Sequence, residues 1–276
     1  MNIELLTTSN NDLLAKLKQG QYFIFNDFTK KQFYYNSVKQ VIFDGIDKFE
    51  GIECRRAVET NGLSAMHQYF PADKLIYLDL FVRDHTRQLM VEMAYSFCKH
   101  DLKLASEFFI SPYESLIKIS YPFEVAIQSK VTYEEYIQYR TKLLEASQSF
   151  QIKEFLKKIK AQIKKFLKKT KTEAGYHGSY PYAASVFGPH LDSWYGSPLD
   201  GINLWWAIEG VREDNSMILY PESFGESLKY EKKFIYLPPG ITLTKPYNVV
   251  IPDGSILVFN SDLLHGSHLN ISNVTR

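Results

Sequence analysis

His190 and Asp192 stand two positions apart in the run Phe187-Gly188-Pro189-His190-Leu191-Asp192-Ser193-Trp194-Tyr195. On a strand successive side chains alternate faces, so residues at i and i+2 point the same way. An imidazole and a carboxylate on one face, joined by a histidine from a distant strand, make three legs around one metal ion. The run Leu264-His265-Gly266-Ser267 near the C-terminus supplies that histidine. Two histidines and one carboxylate with open positions opposite suit Fe(II) engaged in oxygen chemistry. The same three groups could hold Zn²⁺ for hydrolysis or isomerisation. They could also be ordinary hydrogen-bonding groups in a jelly roll that binds a ligand without catalysis. Of the seven histidines, His67, His85, His100 and His177 have no carboxylate at ligand spacing and read as structural or exposed. His268 is the rival for the third leg, but three residues past His265 a strand side chain faces the other way.

Further along the chain stands Arg276, whose rigid, always-charged guanidinium fork is suited to gripping a carboxylate at two points. His190-x-Asp192, His265 and Arg276 together resemble the Fe(II)/2-oxoglutarate-dependent dioxygenases, and their spacing resembles the phytanoyl-CoA-hydroxylase-like branch. The resemblance covers roughly the C-terminal third, from about Tyr180 to Arg276. It implies a double-stranded β-helix, the cupin-like jelly roll, buttressed by helices. It implies Fe(II), 2-oxoglutarate as cosubstrate and O₂, with release of succinate and CO₂. His190, Asp192 and His265 would hold the metal and Arg276 the far carboxylate of 2-oxoglutarate, with Ser267 as a second contact and Trp205 packed near the cosubstrate. Related halogenases lack the carboxylate ligand, so Asp192 implies hydroxylation or desaturation. Members of the branch usually continue past the arginine to finish a strand, which implies a short strand here or a missing tail. A terminal residue frays unless something ties it down.

Trp194 and Tyr195 follow the ligand carboxylate directly and are expected to wall the substrate side. Aromatic residues there suit a small molecule of mixed polarity better than a polymer. The branch is rich in enzymes that tailor bacterial and cyanobacterial natural products, which implies a secondary metabolite as substrate. A cyanobacterial guanidino alkaloid such as 7-deoxycylindrospermopsin is one such compound.

Composition agrees with a large core: of 276 residues, 45% are hydrophobic and 15% aromatic. A net charge of +1 argues against nucleic acid as partner, which would demand a basic surplus. Cys54 and Cys98 are too few for a disulfide framework. The first residues lack a basic stretch followed by an apolar run, and no segment reaches eighteen uninterrupted apolar residues. The expectation is a soluble cytoplasmic protein without stable membrane association; its oligomeric state is not legible.

The elements that must position these residues read as one catalytic unit over 1–276. The part over 1–175 is largely helical with some core strands, and the main jelly-roll strands lie in 176–276. Residues 5–17 read as a helix closed by Gly20, 22–25 as a strand, and 38–49 as a mixed segment. Residues 73–110 read as helical, with Leu89, Met93 and Phe97 on one face and Pro112 beyond. Residues 116–121 alternate as a strand. Thr132 is an N-cap candidate for a helix over 132–150, with Glu134 and Glu135 in its first turn. Lysine-rich 153–171 carries one apolar stripe, as of a helix packed on the barrel with a solvated basic face. Strands follow over 202–208, 216–220, 234–237, 249–251, 255–259 and 263–269. The turn Pro252-Asp253-Gly254 divides two of them.

Overall fold

The computed structural model describes residues 11–104, 108, 110, 117–132, 135, 138, 181–184, 186–230, 237, 241–243 and 245–276. The basic segment 153–171, all but residue 237 of the strand expected over 234–237, Pro112 and His177 lie outside them. So does most of the helix expected over 132–150, but its start is present. The Thr132 amide donates to Glu135 Oε2 and the Glu135 amide to Thr132 Oγ1, a reciprocal capping box.

Helices dominate the N-terminal half. After α1 (Asn11–Leu17) and strand β1 (Phe23–Phe25) come α2 (Lys31–Glu50), α3 (Ile52–Asn61) and α4 (Leu75–Ser96), the last running into a π-turn at Phe97–Asp101. The segment expected to be mixed over 38–49 lies within the twenty-residue α2. Val38, Ile42 and Ile46 repeat at helical spacing and are buried against Leu75, Leu78 and Val82 of α4. That packing outweighs the strand leaning of its β-branched and aromatic residues. The helix expected over 73–110 is shorter, ending with the π-turn and with Lys103 at a positive φ of 48°.

Two three-stranded antiparallel sheets follow, with strand orders β1-β5-β2 and β4-β3-β6. The first joins β1, β2 (Ile202–Trp206) and β5 (Ile256–Asn260). The second joins β3 (Met217–Leu219), β4 (Tyr247–Val249) and β6 (His265–Ser267). β4 begins and ends earlier than the 249–251 expected, and β6 covers only the centre of 263–269. Alternation decides the layers. Ile24, Trp205, Leu257 and Phe259 face Met217, Leu219 and Val249 of the other sheet across one apolar core. The opposite faces of β5 and β2, through Ile256, Val258, Leu204 and Trp206, pack on Met93 and Phe97. Leu89 joins the same layer, so its predicted shared face with Met93 and Phe97 is present. Among the described residues no helix is long and apolar enough to cross a membrane.

The last residues are stitched into the helical half. Arg276 and Ser120 exchange backbone hydrogen bonds at 2.8 and 3.0 Å, and the Thr275 amide donates to Ser64 O at 2.7 Å. The strand expected over 116–121 is not formed at 117–121; Ser120 alone of these residues exchanges backbone hydrogen bonds with Arg276. Gly210, at φ +83°, allows the crossing: a Cβ there would lie 2.0 Å from Thr275 O. Arg276 is therefore tied down rather than frayed.

Candidate metal centre

His190, Asp192 and His265 converge. One candidate ligand atom from each can be chosen so that all lie within 4.8 Å of one another. Asp192 Oδ1 sits 3.4 Å from His190 Nε2 and 3.6 Å from His265 Nε2. The two imidazole centroids are 4.3 Å apart.

The route to this convergence differs from the one expected. His190 pairs with His265 as an isolated antiparallel bridge, but Asp192 does not continue a strand. It opens a 3-10 turn, Asp192–Tyr195, whose first amide donates to Ser261 O at 3.0 Å. Pairing to the loop after β5 therefore aims the carboxylate, not strand alternation. Gly266 lets the two ligand segments approach, since a Cβ there would lie 3.1 Å from Pro189 N and 3.2 Å from Gly188 C.

Each imidazole is oriented by its own chain. His190 Nδ1 lies 2.7 Å from Gly188 O, and His265 Nδ1 lies 2.9 Å from Leu263 O. A carbonyl only accepts, so both Nδ1 atoms carry a proton, and the Nε2 atoms are the ring nitrogens turned toward Asp192. Fixing the outer nitrogen in this way is how proteins prepare histidines for metals. Burial pushes the Asp192 carboxyl up, but the His190 contact, the charges of both imidazoles and an Asn203 amide outweigh it. The carboxyl ends below its ordinary value. Burial, aided by the neighbouring His190, pushes His265 down to about 4. Two imidazole nitrogens and one carboxylate oxygen, arranged around a common point, fit a divalent ion such as Fe(II).

The lowered His265 value has a consequence for the metal-free chain. Above about pH 6.5 the residue is neutral both folded and unfolded. As pH falls toward 4 the unfolded chain takes up a proton that the folded one refuses. Metal-free protein is expected to lose up to roughly 3 kcal/mol over that window. Urea midpoints at pH 7 and pH 4.5 should show the loss in the parent and little of it in His265→Asn.

The other expected residues distribute around this centre. Ser267, two past His265 on β6, shares its face; its amide donates to Phe187 O at 2.8 Å. The Arg276 guanidinium donates to the carbonyl of Asn215, two residues before β3, and burial pushes it down to about 10. Because Leu219 pairs with His265 and Met217 with Ser267, His265, Ser267 and the Arg276 anchor descend in order along β3. Trp205 lies on the inner face of β2, opposite Leu257. Trp194 stacks on Tyr230 at 4.9 Å, and the Tyr195 ring meets His190 edge-on at 5.5 Å. His268 turns away from the triad to Asn248 Oδ1 at 2.7 Å. Arg212 bonds its neighbour Val211 O, and the exposed Lys245 reaches Glu222 at 3.5 Å.

Three groups escaped the sequence reading. Lys118 is pushed down to about 8 by burial, with Arg83 and Arg276 adding to the fall and Asp79 opposing it. A single lysine in an alternating run looks solvent-facing, and nothing local betrays Arg276 as its neighbour. Asn203 donates Nδ2–H to Asp192 Oδ2 at 2.6 Å; its signal was a polar residue inside the apolar run Ile202-Asn203-Leu204-Trp205-Trp206. Phe187 and Tyr230 stand at the rim beside His190 and Trp194. Residues 113–276 match the family described as phytanoyl-CoA dioxygenase (PhyH). No curated protein matches the chain.

Proposed function

Since the chain belongs to the phytanoyl-CoA dioxygenase (PhyH) family and is a 2-oxoglutarate-dependent dioxygenase using Fe(II) and O₂, we propose that it hydroxylates a small secondary metabolite at a metal held by His190, Asp192 and His265. The observation that carries this reading is the meeting of both Nε2 atoms on Asp192 Oδ1. Bound there, Fe(II) with 2-oxoglutarate and O₂ supplies the oxidising power for C–H hydroxylation, succinate and CO₂ leaving as coproducts. The chain's own residues bind, orient and exclude water. Arg276 takes the distal carboxylate of 2-oxoglutarate, with Ser267 beside it and Lys118 as a second nearby cation; the electrostatic influence of Arg276 on Lys118 supports one positive pole. Trp205 packs along the cosubstrate.

Phe187, Tyr195 and Tyr230 keep 38, 47 and 36% of their surface exposed although they stand around His190 and Trp194. Exposed rings beside a candidate metal face support a substrate with a flat apolar surface and few charges. The reading takes 1–276 as one catalytic unit whose strands wind as a double-stranded β-helix. The shared core between the two sheets and the Arg276–Ser120 pairing support it.

Anaerobic Fe(II) and 2-oxoglutarate added to the protein should raise a weak visible charge-transfer band, which a zinc hydrolase or a non-catalytic barrel would not give. Arg276→Met removes a charge-assisted pair worth about 1.5–3 kcal/mol. It is expected to move the 2-oxoglutarate midpoint of that band roughly ten- to hundredfold higher and leave the metal midpoint unchanged. A screen of succinate release against small metabolites, with guanidino alkaloids on the panel, then identifies the substrate.

A further inference from the structure

We propose that Asn203 is the positioning residue that confines Asp192 to binding the metal through one oxygen, an inference that rests on the metal reading above. Asp192 divides its two oxygens. Oδ1 faces both imidazoles at 3.4 and 3.6 Å, while Oδ2 accepts the Asn203 amide at 2.6 Å. Since an ionised carboxylate only accepts, the nearer carboxamide atom of Asn203 is its nitrogen.

Asn203 stands among apolar neighbours. It lies on β2 opposite Phe259, on the same inner face as Trp205. Phe259 and Trp205 both belong to the apolar core between the sheets, and the Phe259 ring meets His265 at 4.9 Å. A carboxamide among such neighbours costs free energy unless its donors are used. Among the described residues its side-chain hydrogen bond goes to a candidate ligand.

The chemical need is specific. A carboxylate with both oxygens free can chelate an ion and occupy an extra position. An oxygenase of this kind must keep positions open for cosubstrate and O₂. Holding Oδ2 on a strand amide leaves only Oδ1 for the metal. The neighbouring turn reinforces the aim: Ser193 Oγ donates to Asp262 Oδ1 at 2.6 Å and the Asp192 amide to Ser261 O, so the carboxylate is held at its backbone and at its outer oxygen.

Asn203→Leu keeps the branched shape and deletes the donor. Co(II) titrated into the metal-free variant is expected to bind ten- to hundredfold more weakly than in the parent. Its visible spectrum should differ in intensity, because Asp192 is released to bind through both oxygens. With Fe(II) saturating, the 2-oxoglutarate midpoint of the charge-transfer band should rise about tenfold. If the leucine variant does not fold, Asn203→Ala carries the same expectations. Variants that keep the parent's Co(II) midpoint, spectrum and 2-oxoglutarate midpoint overturn the proposal. Parent protein that binds Co(II) yet gives no band with Fe(II) and 2-oxoglutarate defeats the dioxygenase reading instead, and the Co(II) comparison still decides the role of Asn203.

Discussion

Asp192→Ala and, separately, His265→Ala are expected to abolish substrate-dependent succinate release. The two losses have different physical origins. Asp192 is the acidic member of the triad, and its oxygen is the point on which both Nε2 atoms converge. Without it two imidazoles remain, which bind a divalent ion through fewer contacts and with no negative charge to oppose it. His265 is almost wholly buried, and its ring is fixed by Leu263 O behind and Phe259 beside it. Its removal opens a cavity and deletes one of only two nitrogens. Bound iron, measured on desalted protein, should fall in both variants along with succinate. Retention of full turnover by either would defeat the ligand assignment. His268→Ala provides the contrast. Its ring is turned to Asn248, so succinate release and iron content are expected to remain near those of the parent.

How far the sequence carries the site depends on what each residue type can do alone. A histidine and an aspartate two apart arise often by chance, but joined by His265 and by Arg276 at the expected interval they stand out, and His190, Asp192 and His265 do meet. Strand alternation alone does not bring them together. Asp192 lies on a turn fixed by pairing to residue 261, a contact between distant segments that no local pattern encodes. Lys118 and Asn203 were passed over because each is ordinary by itself. Only tertiary contact turns a lysine into a neighbour of Arg276 or an asparagine into the holder of a carboxylate oxygen. Among the elements, β1, β2, β3 and β5 were legible from alternation and turn residues. α2 was misread because Phe43, Ile42 and Val41 favour strands locally while the spacing of Val38, Ile42 and Ile46 serves a helix packed on α4. The fraying expected of Arg276 rested on its position in the chain, where backbone pairing to Ser120 decides instead.

That same pairing places charge in the interior, and the largest expected stability effect follows from it. Asp79 on α4 is fully buried, and its Oδ1 accepts the Ile119 amide at 3.3 Å. Arg83, one turn later, donates Nε–H to Ile117 O at 2.9 Å. Lys118 lies between these two backbone contacts, within the electrostatic influence of Asp79, Arg83 and Arg276. Asp79 is thus the carboxylate that offsets a group of cations withdrawn from water where the C-terminal segment meets the helices. Removing one partner from a buried ionic group costs about 3–5 kcal/mol, because the opposite charges stay buried without compensation. Against a typical total stability of about 5–15 kcal/mol this is a large share. Asp79→Ala is therefore expected to lower the melting temperature by on the order of 10 °C. Asp79→Asn keeps a group able to accept the Ile119 amide and should recover about 1 kcal/mol of the loss, leaving most of the charge effect. If alanine and asparagine variants both melt within 2 °C or so of the parent, the cations are compensated by something other than Asp79. Because the damage lies at the helical flank and not at the triad, metal midpoints measured below the lowered melting temperature should match the parent's. A variant that loses metal affinity in step with stability would instead mean that the helical flank and the ligand strands unfold as one unit.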